Sequence, residues 1–367
     1  MASQVGSPKQ PLPGLFGIDK SNKDFTKKEN WGKNTFNNAF PVALANYMER
    51  KGIDPVFLSL NEKGQVKHSY VKVKKLFGKS PESSELKFDF EVPFSPYEKF
   101  CKGSPPKTDL VVFDVSAANS PLMPLEIKLT ALPDNSTAES SNESDYGSEL
   151  VIRPDTIVYA ALALASRFSE QKEDLKKLLA KGGLFHSNIK KSKNLIASRE
   201  KIYDNLDEVL LFHPEKSQMP LLLQPIWKTK GKQLYLVDKC FDIFVWSETA
   251  FAKLLLDRAE KENKRKENVG RHLTSLSWLY HMLKEYSEFG RADFDAITRD
   301  IVYDTRNDKA FSANGKVTNF YMKSEELTSP RIPKEATREI ILGGGQKLLS
   351  PERRLDAAIL GTPGLFD

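Results

Sequence analysis

Two kinds of apolar spacing alternate along the first part of the chain. Over Asn34–Arg50 apolar residues recur every three or four positions, which predicts a helix that Pro41 either kinks or begins. From 56 to 94 the apolar residues instead form short runs, VFLSL, SYVKVKKLF and KFDFEVPF, separated by Gly, Ser and Pro. These runs predict β-strands.

Two strongly hydrophobic runs follow, Asp109–Val115 (DLVVFDV) and Pro124–Leu132 (PLEIKLTAL). The turn-forming stretch Ser116–Pro121 joins them, so they are predicted to form a β-hairpin or at least two adjacent strands. The segment Asp134–Glu149 has five acidic residues and no Lys or Arg, and it predicts a loop. Asp155–Leu179 then predicts a helix, continuous or broken, whose first half TIVYAALALA is apolar all round and should be buried against the sheet.

The last part of the chain mixes strands and helices. The runs DEVLLF, LYLVDK and FDIFVW, between Asp207 and Trp246, predict further strands, while Glu248–Glu267 and the stripe from Leu273 to Ser287 predict helices. The fold class is therefore α/β, with a mixed central β-sheet flanked by helices and a mostly helical C-terminal part. We divide the chain into an irregular N-terminal arm (1–33), a core (34–180) and a region of strand additions and helices (181–367), which could also be one continuous domain with the core.

Composition excludes several classes of protein. The chain has 367 residues, 40% of them hydrophobic, so it can bury a core, and disorder is excluded as its main state. Its two cysteines form no CxxC pair and no Cys/His cluster, which argues against a disulfide framework or a structural zinc site and fits a reducing cytoplasm. No apolar stretch approaches the roughly 20 residues of a membrane-spanning helix, so no membrane association is expected.

Charge indicates polyanionic partners only weakly, because 55 Lys and Arg against 49 Asp and Glu leave a net charge of +6. The distribution is more informative: Lys181–Lys201 contains six basic residues and one acidic residue, among them Lys190, Lys191 and Lys193. A second basic run, Arg258–Arg271, alternates in sign. Both segments are either solvated helix faces or contacts to nucleic-acid phosphates.

Three charged residues lie within the two most hydrophobic strands. Asp109 opens the first strand, and 17 positions later the second carries Glu126, Ile127 and Lys128. Because side chains two apart in a strand share a face, Glu126 and Lys128 project together, and Asp109 can reach that face if the strands are neighbours. The alternative is that these residues are solvated charges at strand edges. Strands this apolar are expected to be central, however, and a charge buried in a central strand is costly unless it is paired.

Two converging carboxylates repel each other unless a cation lies between them. Mg²⁺ prefers oxygen ligands and uses one or two carboxylates, so Asp109 and Glu126, with the Ile127 carbonyl, form a candidate Mg²⁺ site. Lys128 could orient an attacking water or offset negative charge in a transition state. Hydrolysis of a phosphodiester needs this set of groups.

These residues resemble the PD-(D/E)XK nuclease superfamily, with Thr108-Asp109 in place of Pro-Asp and Glu126-Ile127-Lys128 as the second half-motif. Four segments look more narrowly like the HindVP-type restriction endonucleases: NTFNNAFPVALANYM, PFSPYEKFCKGSPPKTDLVVFD, PLEIKLTALPD and RPDTIVYA. They cover roughly the first 160 residues. Thr108 replaces the nominal proline of the motif. This replacement makes the match to the motif less specific, but it changes none of the three residues that would carry the chemistry.

This resemblance implies a Mg²⁺-dependent type II restriction enzyme of a bacterium, which cuts double-stranded DNA at a short specific sequence. Asp109 and Glu126 would bind the metal, Lys128 would be the catalytic lysine, and 34–180 would be the nuclease core. A further acidic residue is often recruited in such enzymes, and Glu49 or Glu98 could serve, although both are expected to be ordinary surface charges. A homodimer is expected, since a two-fold protein matches a palindromic site, with a DNA methyltransferase as a genetic rather than physical partner.

Two other functions stay open at this point. A repair or structure-selective DNA nuclease could be built on the same core. A non-catalytic DNA-binding protein would keep the Glu126–Lys128 strand for structure alone.

Overall fold

The structure is a computed structural model of the chain. It describes residues 16, 18–25, 27, 30, 33–130, 150–181, 184, 192–212, 221–230, 233–236, 242–262, 269–301, 311–313 and 331–343. The predicted acidic loop at 134–149, Lys190, Lys191 and most of the predicted arm lie outside these residues.

The described α-helices are α1 (Lys33–Lys51), α2 (Val73–Leu76), α3 (Pro154–Arg167), α4 (Lys172–Ala180), α5 (Ser192–Leu211), α6 (Glu248–Glu262), α7 (Arg271–Phe289), α8 (Phe294–Asp300) and α9 (Lys334–Gly343). A 3₁₀ helix covers Ser95–Phe100. The strands are β1 (Val56–Leu60), β2 (Val66–Tyr70), β3 (Leu86–Pro93), β4 (Lys107–Asp114), β5 (Ser120–Thr130), β6 (Leu150–Ile152), β7 (Leu221–Lys230), β8 (Gln233–Leu236), β9 (Phe244–Trp246) and β10 (Phe311–Ala313).

One mixed sheet organises the fold, in the order β2-β1-β9-β7-β5-β4-β3, with β8 paired to β7. The pairs β1–β9 and β5–β7 are parallel, and the other pairs in this sheet are antiparallel. A separate two-stranded sheet joins β6 to β10. The predicted fold class, a mixed sheet flanked by helices, is confirmed.

The predicted hairpin is also confirmed, because β4 and β5 pair antiparallel. Strands from the two larger predicted regions of the chain share the sheet: β7 and β9 lie beyond residue 180, and they pair with β5 and β1. The division of the chain into an arm, a core and a third region stays a prediction.

Helix α3 shows why its sequence is apolar all round. Every residue from Thr156 to Ala165 is buried, and the helix packs against α7, α6 and the 3₁₀ helix. Because neighbours cover the helix on several sides, no face of it needs the polar residues that a surface helix carries. Of the two alternatives for Asp155–Leu179, a continuous or a broken helix, the structure has the broken one, since α3 ends at Arg167 and α4 begins at Lys172.

Two predicted strands are wrong in the structure. The run SYVKVKKLF leaves the sheet after Tyr70 and turns into α2, because its buried residues Val73, Leu76 and Phe77 then follow helical spacing. The run DEVLLF is the end of α5, where buried Leu206, Val209 and Leu210 continue the stripe of the preceding turns. A short contiguous apolar run does not by itself distinguish a strand from a buried helix.

The sequence pattern does not predict strand β7, because Gln224 and Pro225 interrupt its apolar residues. The register between β5 and β7 shifts at the same place, so the interruption marks an irregularity within the strand. Within the described residues, no helix combines the length and the apolar character needed to cross a membrane.

Candidate active site

Strands β4 and β5 separate at the point where the charged residues lie. Their ladder ends with Leu110 opposite Leu125, and from Glu126 onward β5 pairs with β7 instead. Continued by one step, the same register places Asp109 opposite Glu126. The Ile127 N–H donates a hydrogen bond to Asp109 Oδ2 over 2.7 Å, so the Asp109 side chain takes the place of the next ladder partner.

The other two predicted residues meet on the same strand. Lys128 Nζ forms a hydrogen-bonded ion pair with Glu126 Oε1, as two side chains that share one face of β5 can do. Both side chains are largely buried, with 15% of Lys128 and 11% of Glu126 exposed. The structure therefore brings Asp109, Glu126 and Lys128 together at the separation of two central strands.

Two carboxylates and one ammonium meet at this place, and the charge of Arg153 is close enough to act against the pKa of Lys128. Burial, followed by the charge of Glu126, raises the pKa of Asp109 to about 7, although Lys128 and the hydrogen bonds from Ile127 and Asn38 act in the opposite direction. Burial lowers the pKa of Lys128, but the charges of Glu126 and Asp109 more than offset this effect and raise its pKa above the usual value. The ammonium is thus held positive, yet it does not remove the repulsion between the two carboxylates.

This charge balance fits a bound cation. Two carboxylates and the carbonyl of Ile127 are hard oxygen ligands of the kind that Mg²⁺ takes, with water or phosphate oxygens completing the shell. Among the residues that the structure describes, no group of three or more His, Cys, Asp or Glu side chains is placed to hold a metal ion. Within the described residues, the oxygen donors for a site at Asp109 and Glu126 are thus these two carboxylates and the Ile127 carbonyl.

Helix α3 supplies further contacts that the sequence did not predict. Thr156 Oγ1 donates a hydrogen bond to Glu126 Oε1 over 3.0 Å, and Tyr159 OH donates to the carbonyl of Pro124 over 2.9 Å. Asp155, in the same first turn, has its pKa raised by burial and then by the charges of Glu126 and Asp295. In the sequence, the visible sign of these contacts is that a Thr and a Tyr, both with hydroxyl groups, lie three positions apart at the start of an otherwise apolar helix.

Helix α1 reaches Asp109 through Asn38, which is 5% exposed. Its Nδ2 donates to the Asp109 carbonyl over 3.3 Å and lies 3.5 Å from Oδ1. The two acidic residues considered from the sequence lie elsewhere: Glu49 accepts a hydrogen bond from Ser80 Oγ over 2.5 Å, and Glu98 is exposed on the 3₁₀ helix. From α1 an amide, rather than a carboxylate, thus contacts Asp109.

Only part of the predicted phosphate-binding segment is described. Lys193 is exposed in the first turn of α5, whereas Lys190 and Lys191 lie outside the described residues. Within the same segment Lys181 pairs with Glu208, and Arg199 Nε lies 3.2 Å from Glu200 Oε1. Part of the positive charge of this segment is therefore compensated locally.

Comparison with known proteins assigns the chain to a family. A sequence model described as "HindVP restriction endonuclease" matches residues 31–366. The chain therefore belongs to the HindVP restriction endonuclease family.

Two similar relatives extend over nearly the whole length. The type II restriction enzyme HgiDI of Herpetosiphon aurantiacus is 42% identical over 360 residues, which cover 97% of each chain. The probable type II restriction enzyme HindVP of Haemophilus influenzae is 39% identical over 354 residues, covering 96% of this chain and 95% of the relative. No solved structure matches the chain significantly.

Proposed function

We propose that this protein is a Mg²⁺-dependent type II restriction endonuclease that hydrolyses phosphodiester bonds of double-stranded DNA at a specific sequence. Its family and its two relatives support site-specific DNA cleavage. The observation that carries the assignment of the centre is the contact between Asp109 and the Ile127 N–H, beside the ion pair between Glu126 and Lys128. The hydrogen bond and the ion pair together hold two carboxylates and one ammonium where β4 and β5 part.

Asp109 and Glu126, with the carbonyl of Ile127, would hold the metal ion. Type II restriction endonucleases generally use a divalent metal, and the raised pKa of Asp109 supports a cation at this place. When bound, Mg²⁺ would stabilise negative charge on the phosphate and lower the pKa of a bound water. The protein's own part is to keep two carboxylates close together, which the hydrogen bond from Ile127 and the buried position of Glu126 achieve.

Lys128 is proposed as the catalytic lysine. The charges of Glu126 and Asp109 keep it protonated, so it acts through its positive charge and its N–H donors rather than as a base. One donor is engaged by Glu126 Oε1, and a Lys ammonium carries three. The others are available to orient the attacking water or to contact a phosphate oxygen.

The remaining assignments concern partners. Lys190, Lys191 and Lys193 are proposed to contact DNA phosphates, supported by the exposure of Lys193 at the start of α5. A homodimer would present two centres to the two strands of a palindromic site. A methyltransferase that modifies the same sequence is expected as a genetic partner, and the bacterial cytoplasm is the expected location.

Incubation of the chain with plasmid DNA tests this proposal. Discrete fragments are expected in Mg²⁺ and none in EDTA, and sequencing of the fragment ends should give one short repeated sequence. A smear or cleavage confined to junctions would instead indicate a repair or structure-selective nuclease. Binding without cleavage in Mg²⁺ would indicate a non-catalytic DNA-binding protein.

A further inference from the structure

Helix α3 holds the strand of Glu126 at two points. Thr156 and Tyr159 lie three positions apart and therefore share one face of the helix. Their hydroxyls reach β5 at the Glu126 carboxylate and at the Pro124 carbonyl, over 3.0 and 2.9 Å. Those two β5 residues are themselves two apart, so one face of α3 is bonded to β5 at Glu126 and again two positions before it.

The hydrogen bonds of Glu126 are divided unequally between its two oxygens. Oε1 accepts from both Thr156 Oγ1 and Lys128 Nζ, whereas Oε2 accepts no hydrogen bond from any residue that the structure describes. Asp109 shows a similar division, because the short 2.7 Å bond goes to Oδ2 and only the 3.5 Å contact with Asn38 goes to Oδ1. Among the residues that the structure describes, each carboxylate thus has one anchored oxygen and a second oxygen with few or no hydrogen-bond donors.

The Thr156 hydroxyl is well suited to anchor a carboxylate. Thr156 is 2% exposed, and its backbone lies in the first turn of α3, where its N–H bonds to the Arg153 carbonyl over 3.1 Å. A β-branched side chain in a helix has few allowed rotamers. Thr keeps more than one of these rotamers in a helix, and the hydrogen bond to Glu126 Oε1 selects the one that points the hydroxyl at the carboxylate. A buried charge-assisted hydrogen bond is also stronger than a neutral one.

We propose that Thr156 is a positioning residue for Glu126: together with Lys128 it holds Oε1 inward, so that Oε2 points to the metal ion. Tyr159 supports the same arrangement by fixing the strand two residues earlier against α3. The inference rests on the proposed function of Asp109 and Glu126 as metal ligands. It adds a residue that touches neither the metal ion nor the DNA but determines which oxygen the metal meets.

Substitution of Thr156 by Val, which keeps the shape and removes the hydroxyl, tests the proposal. Metal binding is measured by Tb³⁺ luminescence on the DNA-free protein, and the Mg²⁺ dependence by single-turnover plasmid cleavage. Thr156→Val is expected to weaken Tb³⁺ binding and to raise the half-saturating Mg²⁺ concentration about tenfold, the scale of one hydrogen bond to a charged group. Thr156→Ser keeps the hydroxyl, so its Tb³⁺ affinity and its half-saturating Mg²⁺ concentration should both stay within about threefold of wild type.

Matched controls separate positioning from stability. Thr274 is also buried in the first turn of a helix, and its hydroxyl donates to the Gly270 carbonyl over 3.2 Å. Thr274→Val should lower the melting temperature without changing either metal measurement. For the second contact, Tyr159→Phe should weaken metal binding in the same direction, whereas Tyr280→Phe, which removes a hydroxyl bonded to the Leu179 carbonyl, should not.

The outcomes distinguish this inference from the proposed function. If Asp109→Asn leaves Tb³⁺ binding unchanged, the metal site itself is wrong and both proposals fail. If Asp109→Asn weakens binding but Thr156→Val matches wild type, or if Thr156→Ser is as impaired as Thr156→Val, only the positioning role is overturned. Should Thr156→Val fail to fold, Thr156→Ala and Tyr159→Phe decide the question by the same measurements.

Discussion

The N–H of Ile127 is hydrogen-bonded to Asp109 Oδ2 over 2.7 Å, across 18 positions of sequence. This contact lies where the ladder between β4 and β5 ends and β5 begins to pair with β7. A side chain thus replaces a backbone partner at the point where the sheet opens. The charged side chains of Asp109, Glu126 and Lys128 lie at this opening, within strands that are otherwise apolar.

The raised pKa of Asp109 predicts how stability depends on pH. Its pKa is about 7 in the folded protein, above the roughly 3.9 of an unfolded chain, so the carboxyl group destabilises the fold increasingly from pH 4 to pH 7. In EDTA, Asp109→Asn should therefore raise the free energy of unfolding at pH 8, by about 1–3 kcal/mol. The gain should vanish near pH 4, as measured by urea unfolding across this range.

Asp114, at the other end of β4, is the matched control for that prediction. Hydrogen bonds from Lys79 and Ser116 lower its pKa to about 2, so its charge stabilises the fold above its unfolded pKa, and this effect is lost as the pH falls toward 2. Asp114→Asn should therefore destabilise the protein at pH 8. An Asp109→Asn protein that is less stable than wild type at pH 8 would contradict the charge repulsion inferred for the site.

Lys128 should affect the rate of cleavage and not DNA binding. Lys128→Gln is expected to slow single-turnover cleavage in Mg²⁺ by about 100–1000-fold, the usual loss for a group that stabilises transition-state charge. Affinity for the same DNA in Ca²⁺ should change little. Lys253, a half-buried lysine whose Nζ lies 2.6 Å from Asp207 Oδ1, provides the control, and Lys253→Gln should cut at the wild-type rate. Equal cleavage rates for Lys128→Gln and Lys253→Gln would show that Lys128 is not a catalytic residue.

The basic segment should determine how DNA binding depends on salt. Replacing Lys190, Lys191 and Lys193 together by Ala is expected to reduce the slope of log affinity against log salt by about 2–3, since each phosphate contact contributes about 0.9. The matched triple variant replaces Lys172, Lys176 and Lys177 on α4, with the same loss of charge. Both proteins are compared by fluorescence anisotropy in Ca²⁺. An unchanged slope in the first variant would refute the assignment of this segment.

The meeting of Asp109, Glu126 and Lys128 could be predicted because it depends on short-range rules. Alternation along a strand fixes which side chains share a face, and one turn-forming stretch makes β4 and β5 neighbours. The buried course of α3 followed from its apolar sequence for a similar reason. In each case the pattern lies within one or two consecutive elements.

The contacts that complete the site depend on long-range packing, which no local pattern encodes. Thr156 reaches Glu126 from 30 positions away, and Asn38 reaches Asp109 from 71. Strand β7 lies between β5 and β9 although it begins 91 positions after the end of β5. The helical end of α5 resembles a strand for a different reason, since its last apolar residues are contiguous and their helical period is visible only from the earlier turns.

The most direct test of the centre is the single-turnover rate at which Asp109→Asn cuts plasmid DNA in saturating Mg²⁺, compared with Asp114→Asn on the same strand. The predicted result is a loss of at least about a thousandfold for Asp109→Asn, equivalent to about 4 kcal/mol of barrier, with Asp114→Asn within about twofold of wild type on that scale. Cleavage by Asp109→Asn at the wild-type rate would show that the candidate active site, where β4 and β5 separate, does not perform the reaction.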